Sequence, residues 1–235
     1  AVKENNYLGR GIGLTSELTI SDETIKGLFN VNNPNFRNSD KSINLNVQSL
    51  ETDKLTDSGY KTNKTGFGFG TNFEYQDDVF IGLGQDSYYE KIETNSSAST
   101  RQKSQAGNYW DTFLNLDLNY DKRNQKFRPT DGFRSSYSVN LPIISENNSL
   151  MNTYVFTIYD ELYQDNVTKF SFFAKAANSL TNDNIKLSER IYLPGSRLRG
   201  FVSGGVGPKD GNDFIGGNYA SSINIQTSIP QLLPN

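Results

Sequence analysis

"WDTFLNLDLNY", residues 110–120, decides the fold. Every second residue gives Trp110, Thr112, Leu114, Leu116, Leu118 and Tyr120, of which five of six are apolar or aromatic. The residues between are Asp111, Phe113, Asn115, Asp117 and Asn119, of which four of five are polar. A period of two is that of a β-strand with one apolar face. The same reading recurs elsewhere. Phe67, Phe69, Thr71, Phe73 and Tyr75 alternate with Gly66, Gly68, Gly70, Asn72 and Glu74. Phe133, Ser135, Tyr137, Val139 and Leu141 alternate with Arg134, Ser136, Ser138 and Asn140. Ile223, Ile225, Thr227 and Ile229 alternate with Asn224, Gln226 and Ser228. Ten strands are expected, over 10–21, 23–32, 41–52, 65–76, 79–91, 109–122, 132–143, 151–163, 167–179 and 215–229. No window repeats apolar residues at helical spacing over three turns, so no helix is expected.

Composition narrows what such a chain can do. Its 235 residues include neither Cys nor His. That excludes disulfides, thiol nucleophiles, zinc sites of the usual ligand types and the commonest general base. A Ser, His and acid set is impossible, and no catalytic centre is expected. The net charge of −3 gives no electrostatic case for nucleic acid. Mean hydropathy is −0.62, and no apolar run approaches the ~20 residues of a transmembrane helix. Tyr, Phe and Trp nevertheless make up 12% of the chain.

The links between strands alternate in length. Short, turn-forming links cover 32–40, 75–78, 123–132 and 163–168, and longer polar links cover 51–64, 92–108 and 180–214. The segment 92–108 reads as solvated and of low complexity. With antiparallel strands, the short turns share one end and the long loops the other; the brief links near 22 and at 144–149 are exceptions. Short turns opposite long loops, with one apolar strand face, are the pattern of a transmembrane β-barrel. Tyr75, Tyr88, Tyr89, Tyr109, Trp110, Tyr120 and Tyr163 would suit its aromatic girdles. A soluble β-sandwich or lipocalin-like barrel has the same alternation with the apolar face inward, and periodicity alone does not separate the two. Long strands and a polar face rich in Asn, Asp, Ser and Lys favour the membrane barrel.

Two further stretches carry a resemblance. "LPGSRLRGF" (193–201), followed by "GPKDGNDFIGGN" (207–218), resembles the outer-membrane barrel-assembly family, the group of BamA, TamA and their organellar counterparts. That family carries a Val-Arg-Gly-Phe/Tyr signature in a long loop before a Gly-Gly-Asn-bearing strand. Here the signature reads Leu198, Arg199, Gly200 and Phe201, with Gly216, Gly217 and Asn218 after it. "DKRNQKFRPTDGFRSSYSVNLP" (121–142) resembles the family's Asp-x-Arg-Asn…Pro-Thr-x-Gly turn. "NYLGRG" (6–11) and "VNNPNF" (31–36) are also similar at corresponding places.

The resemblance implies an all-β fold: about ten strands of a sixteen-stranded antiparallel transmembrane barrel. Residues 1–235 would form a partial barrel domain, with the POTRA domains, the first two strands and the last four absent. It implies a bacterial outer-membrane factor that folds and inserts barrel precursors without ATP. Implied partners are unfolded precursors, accessory lipoproteins and outer-membrane lipid, with no cofactor and no metal. Arg197, Leu198, Arg199, Gly200 and Phe201 would form a loop latched in the lumen, Arg199 meeting acidic groups on the inner wall. A guanidinium stays charged and must be paired when confined. Gly200 would permit close backbone approach, and Leu198 and Phe201 would pack the tip. Gln226 stands where the family often has Glu, which leaves Asp111, Asp117, Glu161 or absent strands as sources of the acid.

Asp121, Arg123, Pro129, Thr130 and Gly132 read as a defined turn, with Pro129 fixing one φ and Gly132 allowing a positive one. "GRGIG" (9–13) and "GFGFG" (66–70) lack the following helix of a phosphate loop and read as strand glycines. Asp210, Asn212 and Asp213 read as a polar loop rather than a calcium site. The sequons at Asn63, Asn95, Asn147 and Asn166 carry no meaning in a bacterial outer membrane. The rival functions are a TamA-like or two-partner-secretion translocator, a passive porin and a soluble β-sheet binding module.

Overall fold

A computed structural model describes residues 1–22, 24–55, 59–146, 148–163, 166–181, 184–201, 204–210 and 213–228. One antiparallel sheet dominates. Its strands are β1 (Val2–Tyr7), β2 (Ile12–Ile20), β3 (Thr24–Asn33), β4 (Ser42–Lys54), β5 (Tyr60–Gln76) and β6 (Val79–Thr94), then β7 (Gly107–Asp121), β8 (Gly132–Ile144), β9 (Ser149–Tyr163) and β10 (Asn166–Ser179). A two-residue hairpin, β11 (Lys209–Asp210) and β12 (Asp213–Phe214), precedes β13 (Tyr219–Thr227). Neighbours in sequence are neighbours in the sheet, except that β13 pairs with β10. β1 and β13 are the two ends of the eleven-stranded order, and the sheet is not closed.

The side that periodicity left open is settled by exposure. Phe29, Val47, Phe69, Leu83, Leu114, Leu118, Leu141, Ile158 and Ile225 are all exposed. A continuous apolar band of this breadth exceeds what a soluble monomer presents to water and suits lipid. The opposite face is polar and networked. Asn115 Nδ2 donates to Asp86 Oδ2 at 2.5 Å, and Asn140 Nδ2 to Asn115 Oδ1 at 2.8 Å. Ser138 Oγ donates to Asp117 Oδ1 at 2.5 Å. Gly68 belongs to this network by having no side chain: a Cβ there would lie 1.9 Å from Asp86 Oδ1. Among the described residues no helix is long and apolar enough to cross a membrane, which says nothing of strands.

All ten expected strands are present, with several differences. β1 escapes a hydrophobic reading because all six residues of "VKENNY" are exposed without alternation. β4, β5 and β6 run well into the expected links 51–64 and 92–108. There the outer face turns from apolar to charged: Lys61 pairs with Glu51 at 2.7 Å, and Lys91 with Glu93 at 2.6 Å. The segment 95–106 is largely exposed, as expected, but three of its residues pack inward. It holds one turn of helix, α1 (Thr100–Lys103), closed by a reciprocal Ser99–Gln102 capping box. Ala98, Gln102 and Gln105 are buried. Of the expected girdle residues, Tyr75, Tyr89, Trp110 and Tyr120 are exposed. Tyr88 and Tyr109 point inward instead, against the ammonium groups of Lys64 and Lys186. The side chain of Tyr163 lies outside the described residues.

Candidate functional site

The long link from β10 to β13 folds onto the polar inner face. Its anchor is Lys186, which is fully buried. The ammonium contacts Asp111, lies 3.5 Å from Glu90 Oε2 and 3.8 Å from Glu189 Oε1, and sits 4.7 Å from the centroid of Tyr109. The three carboxylates have hydroxyl donors of their own. Ser145 Oγ donates to Asp111 Oδ1 at 2.6 Å, Ser188 Oγ to Glu90 Oε2 at 2.9 Å, and Ser149 Oγ to Glu189 Oε2. Glu90 comes from β6, Asp111 from β7, Ser149 from β9, and the other charges from the loop. The ammonium therefore ties β6 and β7 to the loop, and Glu189 adds β9 through Ser149.

Burial opposes the charge on Lys186, but Glu189, Asp111 and Glu90 more than offset it, so its pKa lies above the ordinary lysine value. Burial pushes the Glu189 carboxyl up from its ordinary value, against the pull of Lys186 and Ser149. Backbone bonds hold the same segment. Gln105 Oε1 accepts from Leu187 N at 2.8 Å. Ile191 and Gly217 form an antiparallel bridge, at 2.8 and 2.9 Å. Ala177, Ile185 and Ile191 close a small apolar cluster against Met151 and Ala220.

The loop tip follows. Pro194 O accepts from Arg197 N at 2.9 Å and Leu198 N at 3.1 Å, which makes a turn. The Arg197 guanidinium stacks over Phe173 of β10 at 4.8 Å, and its carbonyl accepts from Asn224 Nδ2 of β13 at 3.1 Å. Leu198 is half-buried. Arg199 is exposed and forms no ion pair with a described residue. The buried cation of the loop is thus Lys186, and Asp111, one of the acids considered for Arg199, is engaged by it. Asp117 accepts from Ser138, and Glu161 is exposed. Gly200 has φ +85° with nothing within 4 Å of a would-be Cβ, so conformation rather than close approach calls for glycine. Phe201 is 59% exposed, at the lining of a cavity of about 1100 Å³ between the loop and β4–β6.

Residues 6–233 match the Omp85 superfamily domain. The chain belongs to the Omp85 superfamily. A search of the curated proteins gave no match. Among solved structures, the crystal structure of BamA from Haemophilus ducreyi lacking POTRA domains 1–3 is similar, with a TM-score of 0.84 and 19% identity. The match covers 99% of this chain and 50% of that one, so this chain spans half its length. At that identity the likeness is one of fold.

In this Omp85 domain the second motif is a closed turn. Arg123 Nε and Nη2 each donate to Asp121 at 2.7 Å, a bidentate pair that is largely buried. Asn124 Nδ2 donates to Thr130 Oγ1 at 2.7 Å, and Asn124 Oδ1 accepts from Thr130 N at 3.2 Å. Pro129 lies within this closed turn. Gly132 has φ +92°, and a Cβ there would lie 2.1 Å from Lys122 O. The Gly-Gly-Asn triplet precedes β13 rather than lying in it: Gly216 has φ +67° against the Tyr192 ring, Gly217 pairs with Ile191, and Asn218 O accepts from Ala177 N at 2.8 Å. Gln226 lies opposite Lys169 in the β10–β13 ladder. Among the described residues no three acidic groups are placed to hold a metal; Asn212 and the Asp213 side chain lie outside them.

Proposed function

We propose that this chain is part of the wall of a bacterial outer-membrane β-barrel that folds and inserts other barrel proteins. The observation that carries the reading is the Omp85 match along almost the whole chain, in a sheet whose inner face holds a latched loop. No bound nucleotide or catalytic side chain enters the scheme. The work comes from strand pairing: an unfolded precursor adds its strand to an open sheet edge, gaining main-chain hydrogen bonds that lipid cannot supply. The loop, with Leu198, Arg199, Gly200 and Phe201 at its tip, stiffens the wall against which that exchange occurs. Partners on this reading are unfolded precursors, accessory lipoproteins on the turn side and outer-membrane lipid.

The inward loop also bears on the rivals. A passive porin needs an open lumen, whereas Lys186 holds the long link against the inner face of the wall. A translocator with one dedicated substrate would share the wall and the loop. Depletion of the full-length protein in its own host separates them. The expected outcome is a joint fall in the folded, heat-modifiable fraction of several unrelated outer-membrane barrels. Loss of one exported substrate alone would select the translocator, and altered solute uptake alone the porin.

A further inference from the structure

At the turn end of the sheet the inner face carries more cations than carboxylates: Arg123, Arg134, Lys169 and Arg197 line it, against Asp121, which lies opposite Arg134, and the exposed Glu161, which shares a strand face with Tyr159. Arg134 of β8, Lys169 of β10 and Arg197 of the loop tip line one cavity of about 500 Å³. None of the three forms an ion pair with a described residue; the described pairs at this end are Arg123–Asp121 and Lys122–Asp78. Their contacts are neutral instead. Arg134 Nε donates to Asn119 Oδ1 at 2.6 Å, the Lys169 ammonium stands 5.9 Å from the Tyr159 centroid, and Arg197 lies over Phe173. Asp121, an acid on the same inner face, is consumed by its two bonds to Arg123. The residue opposite Lys169 on β13 is the neutral Gln226. A smaller cleft between Lys169, Arg197, Asn224 and Gln226 adjoins the cavity.

Three like charges around one cavity repel one another. An anion that sits among them removes that cost. The side chains also suit a particular kind of anion. Guanidinium forks match planar or tetrahedral oxygens, and Thr157, Ser171 and Ser196 add hydroxyl donors to the same lining. We propose that this cavity binds an oxyanion, a phosphate or carboxylate group held by Arg134, Lys169 and Arg197. The source is either free phosphate or an acidic side chain of a polypeptide at the turn-end mouth. The proposal does not rest on the assembly reading.

The test is calorimetric titration of the full-length protein in detergent. One arm adds sodium phosphate against sodium chloride of equal ionic strength; the other adds a short Glu-rich peptide. Saturable binding is expected in at least one arm, and the arm that saturates names the source. Lys169→Gln and Arg134→Gln should each weaken it about tenfold or more, the loss of one charged hydrogen bond. Gln226→Glu sets a tethered carboxylate opposite Lys169 and should weaken it by a similar factor while the heat-modifiable folded band persists. Where a charge-removing variant loses that band, the Gln226→Glu result decides. No saturable binding in either arm, or binding unchanged in the folded variants, overturns the proposal. Barrel assembly that fails while anion binding persists, or the reverse, separates this site from the assembly function.

Discussion

Lys186 is buried with an excess of negative charge around it, three carboxylates to one ammonium. Removing the ammonium would strand those carboxylates in a lumen that cannot solvate them. Lys186→Met is therefore expected to cost about 3–5 kcal/mol, the penalty for breaking one side of a buried ion cluster. The check is the urea midpoint of the unheated, folded band, which should fall well below that of the parent. Two glycines give a matched pair at the same scale. Gly132 and Gly200 both have positive φ, but only Gly132 has backbone where a Cβ would go. Gly200→Ala should cost about 1–2 kcal/mol from conformation alone, and Gly132→Ala distinctly more, in the same urea assay. The value of Gly132 was legible from the Pro-Thr-x-Gly turn. Lys186 was not. It lies in "NIKLSER" (184–190), a polar stretch without a signature, and its ion-pair partner Asp111 is 75 residues away. A charge whose meaning comes from distant partners leaves no local pattern to read.

Strands were legible where lipid dictates them. Inside the apolar band the outward residues are mostly apolar, so alternation appears and β7, β8 and β10 were found close to their true bounds, while the last strand, expected over 215–229, is shorter at Tyr219–Thr227. Above that band water satisfies the outer face, and ion pairs such as Lys61–Glu51 replace the hydrophobic signal. The ladder of β4–β6 continues there on backbone hydrogen bonds that no composition announces. β1 is the extreme case, a strand whose six residues are all exposed. The band itself makes a prediction at this scale. Leu116 faces outward in the middle of β7 and is exposed. Leu116→Arg should destabilise the barrel folded in bilayers by about 2–4 kcal/mol. The measurement is the denaturant midpoint of folding into lipid vesicles; a shift below ~1 kcal/mol would mean that this face is not lipid-facing.

At the scale of the whole molecule, the wall and the loop make one unit. Lys186 ties the loop to β6 and β7 and Glu189 ties it to β9 at the loop end, and Arg197 rests on β10 and β13 further down. The resemblance placed the fixing charge at Arg199, whereas the buried cation that fixes the link is Lys186, ahead of the signature. The measurement that tests this seating most directly uses the absence of cysteine from these 235 residues. Cysteines placed at Gln105 and Leu187, whose side chain and backbone meet at 2.8 Å, are treated with a short bis-maleimide in the full-length protein in intact cells. A control pair goes at Asn115 and Asn140, directly opposite in the β7–β8 ladder on the polar inner face. The seated loop predicts efficient cross-linking of both pairs. Cross-linking of the wall pair without the loop pair would contradict it.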